Sequence, residues 1–407
     1  MKRIAALLLF APLIAPPGAE AMDFHFSGYG DGRMVFAPTN SGSYLDGELG
    51  KLRFGDDDGH PGFHLTEFVG SASVQLDGSW SATAVGRINP EYGPAIDLIE
   101  GYVRYKPVST SSWRWSVQAG AFFPPISLEN DQLGWQPFWT LTPSAINSWI
   151  GAEIRVIGAQ GTLEWRRNEA TLAINAALFG FNDPMGVVMS DRGWNFDDHP
   201  VGLFDQYRLP DSLSAIFGTP PPFHAELFKE IDQRPGWYVD VSYEPEGSGI
   251  ELMTYDNNVD PSTHAGADFG WHTQFWDIGA YHQIDGLVTL LAQGMSGSTE
   301  VVPSPYFFSK TDFRSAYLLA GVDVDKWWFA TRGDYFDTRT RNSFGPSPLL
   351  SEVGRAWTLA ANYAPETWIR LSGEFLIVNS TRPQRLLQGD PASIVEKQLQ
   401  FAVRIFY

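Results

Sequence analysis

Arg87, Glu100, Arg104, Arg114, Glu153, Arg155, Glu164, Asp240, Glu251, Arg332, Asp334, Arg370, Glu374 and Arg404 each stand in a run whose neighbouring positions are largely apolar. Successive side chains of an extended strand point to opposite faces, so spacing of this kind gathers charges on one face and oily residues on the other. Guanidiniums and carboxylates that face each other across water set up a field that sorts polar molecules by charge and dipole. Proton-transfer chemistry is less well served. Of His25, His60, His64, His199, His224, His264, His272 and His282, only His282 near Asp285 and His272 near Thr273 offer a local acid–base pairing. The sequence contains no Walker loop, HExxH, G-x-S-x-G elbow or helix-opening G-x-G-x-x-G. Asp56-Asp57-Asp58 with His60 lacks the glycine and terminal-glutamate spacing of a calcium loop. With no Cys in the chain, thiol catalysis, disulfides and Cys-ligated metals are excluded. No catalytic residue, metal or cofactor is expected.

The elements that carry these charges read as strands of about ten residues. At the end of the chain Leu399, Phe401, Val403, Ile405 and Tyr407 alternate with Gln398, Gln400 and Arg404; in 367–378, Ile369, Leu371, Phe375 and Ile377 oppose Arg370, Ser372 and Glu374. In 64–76, Phe68, Ala72, Val74 and Leu76 oppose Glu67, Ser71, Ser73 and Gln75. The same pattern predicts strands over 24–35, 80–88, 96–105, 113–122, 152–166, 171–179, 237–244, 250–255, 271–284, 287–295, 314–323, 327–336 and 355–363, about sixteen in all. In the sixth, Glu153 and Arg155 lie on one parity and Gln160, Glu164 and Arg166 on the other; a bulge near Ile157-Gly158, or an end to the strand there, accounts for the change.

The connections alternate in length. Short links fall at 77–78, 106–112, 167–168, 245–249, 285–286, 324–325 and 365–366, and long ones at 37–63, 123–150, 180–236, 256–270, 297–313, 337–354 and 379–394, with a modest link at 89–95. Outer-membrane barrels keep their turns short on the periplasmic side and long outside. In hydrocarbon a sheet must also close, because an unpaired edge N–H or C=O costs several kcal/mol there. The expected fold is therefore all-β: a transmembrane antiparallel up-and-down barrel of about 16 strands, its lumen too wide for side chains alone to fill. Trp80, Tyr105, Trp113, Trp115, Trp237, Tyr243, Trp327, Trp357, Tyr363, Phe401 and Tyr407 fall at predicted strand ends, where aromatic girdles meet the headgroups.

Composition agrees. The chain of 407 residues is 43% apolar, 14% aromatic and 18% charged, with 40 Gly and 28 Pro, unlike a helical bundle or a disordered chain. A net charge of −19 makes nucleic acid an improbable partner. Lys2 and Arg3, the apolar run 4–14 and Ala19-Glu20-Ala21 read as a signal peptide over 1–21, leaving a single barrel domain over 22–407 with a charge of −20. The apolar run is too short for the roughly 20 residues a spanning helix needs.

The closing run 398–407, the amino-terminal leader and the alternating loops resemble Gram-negative outer-membrane porins over the whole mature chain. Gly120-Ala121-Phe122-Phe123-Pro124-Pro125-Ile126-Ser127-Leu128-Glu129-Asn130 and Ser148-Trp149-Ile150-Gly151-Ala152-Glu153 are similar to a stretch of porins related to the phosphate-selective group. The resemblance implies that the loop after the fifth strand folds inward and narrows the pore. Glu129, Asp131 and Trp135 on that loop would then face Arg87, Arg104, Arg114, Arg155, Arg332, Arg370 and Arg404 on the wall, with Glu100, Glu153, Asp334 and Glu374 interleaved. Trp135, Phe138 and Trp139 either stack on flat solutes or pack the loop onto the wall. The loop 180–236 carries Asp183, Asp191, Asp197, Asp198, Asp205 and Asp211 and is expected as a solvated surface, with divalent cations shared with lipopolysaccharide as an alternative. The function expected is passive diffusion of small hydrophilic solutes, without enzymatic activity. A barrel hydrolase using His282 and a surface-binding barrel are the alternatives. Partners expected are outer-membrane lipid and lipopolysaccharide, the barrel assembly machinery through Tyr407, and two further copies in a trimer.

Overall fold

The computed structural model describes residues 22–38, 42–55, 60–89, 94–213, 223–266 and 268–407. Residues 1–21, expected as a signal peptide, and the Asp56-Asp57-Asp58 segment lie outside them. Sixteen long strands close into one antiparallel barrel. In chain order they are β1 (Asp23–Phe36), β2 (Gly62–Gln75), β3 (Trp80–Ile88), β4 (Ile96–Tyr105), β5 (Trp113–Phe122), β6 (Val156–Arg167), β7 (Ala170–Gly180) and β8 (Gly236–Glu244). They continue with β9 (Ser248–Asp256), β10 (His272–Ile284), β11 (Val288–Ser304), β12 (Phe307–Val324), β13 (Trp327–Asn342), β14 (Glu352–Glu366), β15 (Ile369–Thr381) and β16 (Ser393–Phe406). Each pairs with its sequence neighbours, and β1 closes the ring on β16 from Tyr29↔Phe406 to Phe36↔Leu399. Gly28 and Tyr407 exchange both backbone hydrogen bonds, at 3.1 and 2.9 Å, beyond the end of that ladder. Closure satisfies every strand's hydrogen-bonding edge within the wall, as the bilayer requires.

Burial follows the alternation. In β14 and β16 even-numbered residues such as Ala356, Thr358, Gln398 and Arg404 are buried inward, while Trp357, Leu359, Leu399, Phe401 and Val403 are exposed outward. On the short-turn side the outward aromatics touch across strands: Trp80 and Tyr105 at 4.8 Å between ring centroids, Tyr105 and Trp115 at 5.5 Å, Trp327 and Tyr363 at 4.4 Å. A lipid-facing surface with rings at its rim is what an outer-membrane barrel presents.

The wall departs from the expected strands in three places. Glu153 does not lie on β6. It ends helix α1 (Ala145–Glu153), and β6 begins only at Val156, with no register shift at Ile157-Gly158. The change of parity arises because Glu153 precedes the strand. Bulges occur instead where β1 meets β2, beside Thr66, and where β3 meets β4, beside Ile99. The expected long connection 297–313 is a hairpin, since β11 runs to Ser304 and β12 starts at Phe307; β13 likewise runs on to Asn342. Outward residues there are polar, so the period of two persists while the oily face that marks a strand in sequence is gone.

Candidate channel interior

Two helix-bearing loops enter the barrel, and residues 42–55 pack with the second of them, Leu52 bridging to Phe196 and Lys51 and Arg53 buried beside it. The first, 123–155, begins with Pro124 and Pro125 and crosses the lumen to α1. Its turn at Gly134-Trp135 takes positive φ at both residues. Ser144 caps α1 by accepting from the backbone N–H of Asn147. The helix's free N–H end also faces two carboxylates: Ser144 N–H donates to Glu129 at 2.6 Å and Ala145 N–H to Asp334 at 3.3 Å. Negative charge is favoured at that pole of a helix. Arg332 of β13 locks the arrangement, reaching Asp334 at 2.9 Å, Glu129 at 3.1 Å and the carbonyls of Thr142 and Pro143 at 2.9 and 2.8 Å. Glu374 of β15 accepts from Leu141 N–H, Thr142 N–H and Thr142 Oγ1 at 2.6, 3.0 and 2.6 Å. All four side chains are buried.

The aromatics of this loop pack it onto the wall. Trp135 stacks on Phe123 at 4.0 Å and donates to the carbonyl of Asn147 at 2.9 Å; Phe138 stacks on Trp328 at 5.5 Å. Trp139 lies so close to Gly321 that a Cβ there would come within 2.5 Å of its ring.

Described parts of the second loop, 181–213, pack into the lumen beyond α1, which corrects the expected solvated placement of Asp183, Asp191, Asp197 and Asp198, while Asp211 is exposed and Asp205 half-buried. Its helix α2 (Val187–Arg192) is wholly buried, as are Trp194 and Phe196. Glu153 joins the two loops: its carboxylate accepts from the N–H groups of Gly186, Val188 and Met189 at 2.9, 2.9 and 3.1 Å and from the Trp149 indole, occupying the open N-terminus of α2. Gly186 must be glycine, with φ of +103° and room for no Cβ against Thr273 and Thr299. Rings from loop and wall interlock, Trp149 meeting Trp194, Phe275 and Phe313 at 5.9, 5.6 and 4.9 Å. The lumen is too wide for wall side chains alone, and loop segments fill its upper part.

Ion pairs tie the second loop and residues 42–55 to the wall and to each other, and join wall strands beside them. Asp198 pairs with Arg33 at 2.6 Å and Arg53 at 2.8 Å; Asp31 pairs with Arg33 at 2.9 Å and Arg404 at 2.6 Å. Arg87 pairs with Asp205 at 2.6 Å, and Lys51 with Glu352 at 2.7 Å. Arg155, equally buried, gives its hydrogen bonds to the carbonyls of Ile154 and Val201 and stacks over Phe123 at 3.4 Å. Burial drives the loop carboxyls of Asp191 and Asp197 up to about 7, and that of Asp183 to about 6. The same burial pushes His199 well below its usual range, with Arg87 and Arg53 reinforcing it. Asp183, Glu230 and Asp232 approach one another closely enough to hold a cation, but Asp183 already accepts from Ile231 and Asp232 N–H.

The turn-side half of the lumen is different. Glu100, Arg104, Arg114, Glu164 and Arg370 are only half-buried there, and Asp131 at the tip of the first loop is exposed. Arg104 rests on Gln118 at 3.0 and 2.5 Å, and Arg370 lies over Trp328 at 4.8 Å. A cavity of about 250 Å³ opens against the loop, bounded by Glu100, Phe123, Ile126, Asp131, Gln132 and Trp135. The sequence candidates thus divide into two sets. Glu129, Glu153, Arg155, Arg332, Asp334, Glu374, Arg87 and Arg404 are buried among other groups, and Glu100, Arg104, Arg114, Asp131 and Arg370, the last in register with Arg404, reach water. Sequence reasoning missed Asp31, Arg33, Lys51, Arg53 and Glu352; Asp31 and Arg33 share one parity within β1, which is the signal that could have found them. His282 meets Ser248 at 2.8 Å on the exposed turn-side rim, and His272 meets Asp256 at 3.0 Å at a strand end.

No protein-family model and no curated protein matches the chain. Among solved structures it is similar to the outer membrane channel DcaP of Acinetobacter baumannii, with 9% identity, 95% of this chain and 97% of that one covered, and a TM-score of 0.55. An anion-selective porin from Comamonas acidovorans gives 12% identity, 95% and 100% coverage and a TM-score of 0.55. OmpT of Vibrio cholerae in a trimer form gives 10%, 95% and 100%, with a TM-score of 0.50. Together with the closed wall, its greasy exterior and its ring of aromatics, this likeness shows that the chain has the fold of outer-membrane porin barrels.

Proposed function

We propose that the protein is a narrow passive channel for small hydrophilic solutes. The observation that carries this reading is the first loop, held across the lumen by Arg332, Glu374 and Asp334 while half-buried charges line the water beside it. Arg114 and Glu164 stand side by side in register on β5 and β6, Glu100 and Arg104 share β4, and Asp131 acts on Arg370 from the loop, so opposite charges interleave along the lining and favour polar solutes able to reorient. The similarity of 120–130 to porins of the phosphate-selective group suggests anions as cargo. Against a strong anion preference, Arg87, Arg332 and Arg404 are already taken by carboxylates. Weak selectivity is expected. Stepwise conductance of the purified protein in a planar bilayer tests the reading, and its absence at every voltage would overturn it. Reversal potentials in a salt gradient then report selectivity.

The trimer form of a structural neighbour supports assembly into three copies, which native electrophoresis from mild detergent checks. Tyr407, exposed at the rim, supports recognition of the chain's end by the assembly machinery.

A further inference from the structure

We infer that the outer wall over β10–β15 is a seat for one phosphorylated glycolipid of the outer leaflet, an acyl chain lying in an apolar furrow beneath a row of arginines. The inference rests on the membrane placement of the barrel and not on conduction.

The furrow measures about 900 Å³ and is almost wholly apolar. Its floor is made by missing side chains: Gly294, Ala316 and Gly333 point outward on three adjacent strands. A Cβ placed on Gly294 would find its nearest neighbours, Ala316 and Ile278, only at 3.9 and 4.0 Å. Around this floor Ile278, Leu318 and Trp357 stand exposed. A depression of this kind in a face that meets hydrocarbon will be filled by a chain, because a void forfeits dispersion contacts.

Charge decides which lipid. At the furrow's upper edge Tyr335 and Arg355 line it in register with Ala316, and in the rows beyond them the outward residues are polar apart from Val353. From the aromatic rim at Trp327 to Tyr335 is eight residues, about 26 Å along the strand and roughly 20 Å along the membrane normal at the tilt of such barrels. That places Arg355 near the top of the apolar band, where lipid phosphates lie. Arg314, Arg339, Arg341, Arg355 and Lys310 gather on this face against Asp312, Asp337 and Glu300. Arg314 is held by Asp337 at 2.5 Å and Lys310 by Glu300 at 3.3 Å. Among the described residues Arg339, Arg341 and Arg355 have no ion-pair partner, although Asp312 faces Arg339 in register. An excess of cations is unexpected in a chain of net charge −19. The loop-side ends of β1 and β2 point Met34, Phe36, Phe63 and Leu65 outward instead. Guanidinium forks match phosphate oxygens in pairs, and only an anionic headgroup on an acylated body satisfies row and furrow together.

The test is native mass spectrometry of protein extracted from outer membranes in mild detergent. One phosphorylated glycolipid per chain is expected to survive extraction. Arg355→Glu with Arg339→Glu, and separately Gly294→Leu, should each lower its retention at least tenfold, with unchanged gel mobility of the folded barrel and unchanged conductance. Leucine suits an outward strand position, so the second variant should fold. Refolded lipid-free protein should take up the glycolipid but neither its dephosphorylated form nor inorganic phosphate alone. Unchanged retention in both variants, or equal uptake of the dephosphorylated form, would overturn the inference. So would efficient cross-linking between copies through Ala316→Cys in this Cys-free chain, which would put a second copy in the furrow.

Discussion

The two halves of the lumen are built from one code and behave oppositely. Where loop segments lie against the wall, inward Arg332, Glu374 and Arg404 meet them and are sealed from water; where they do not, on the turn side, inward Arg104, Arg114 and Glu164 meet solvent. Nothing in the strand pattern separates these sets. The difference teaches that inward charge in a barrel marks a polar face only, and that what fills the lumen decides whether the charge becomes a clamp or a lining.

The largest effect is expected from breaking a clamp. Arg332→Ala leaves Glu129 and Asp334 buried without their cation, a situation that costs about 3–5 kcal/mol, and should lower the denaturation midpoint and raise single-channel conductance as the first loop comes free. Next, Glu153→Ala strips the carboxylate from the N–H groups of Gly186, Val188 and Met189; limited proteolysis should then cut the 181–235 loop several-fold faster while β-sheet content is kept. A smaller effect comes from pH. The raised carboxyls of Asp191 and Asp197 keep protons in the folded loop that the unfolded chain releases, so stability should fall as pH rises from about 4 to about 7. Asp191→Asn and Asp197→Asn should flatten that slope, as thermal melts at several pH values would read. On the wet side, Arg114→Glu should shift the reversal potential towards cations with no change in melting. The smallest effect is assigned to His282→Ala, which should leave conductance unaltered; loss of a measurable lipid or peptide turnover on this change would favour the hydrolase alternative.

The wall was legible because its two faces meet different solvents. Trp80–Ile88, Ile96–Tyr105 and Trp113–Phe122 emerge with the bounds their alternation suggests. Beyond the lipid band that contrast fades, so the upper parts of β11, β12 and β13, with Glu300, Lys310, Arg339 and Arg341 outward, read as loops. Of the interior, the first loop's inward course was visible only through its resemblance to known porins. The second loop's was hidden, since Asp191, Asp197 and Asp198 look hydrated until Arg33, Arg53 and Arg382 are brought to them from distant strands and loops. Pairing across more than a hundred residues leaves no local signature.

The seam between β1 and β16 is the one junction of the wall without a connecting turn. Its alignment is set by backbone bonds, including those of Gly28 with Tyr407, and by Arg404 and Gln400 reaching Asp31 and Arg33. The first and last strands of the barrel therefore meet on the short-turn side, and the order in which the wall is threaded is arbitrary there. A short linker joining Tyr407 to Asp23, with new ends opened at Asp77-Gly78, should yield a permuted molecule of the same shape, movable seam and all.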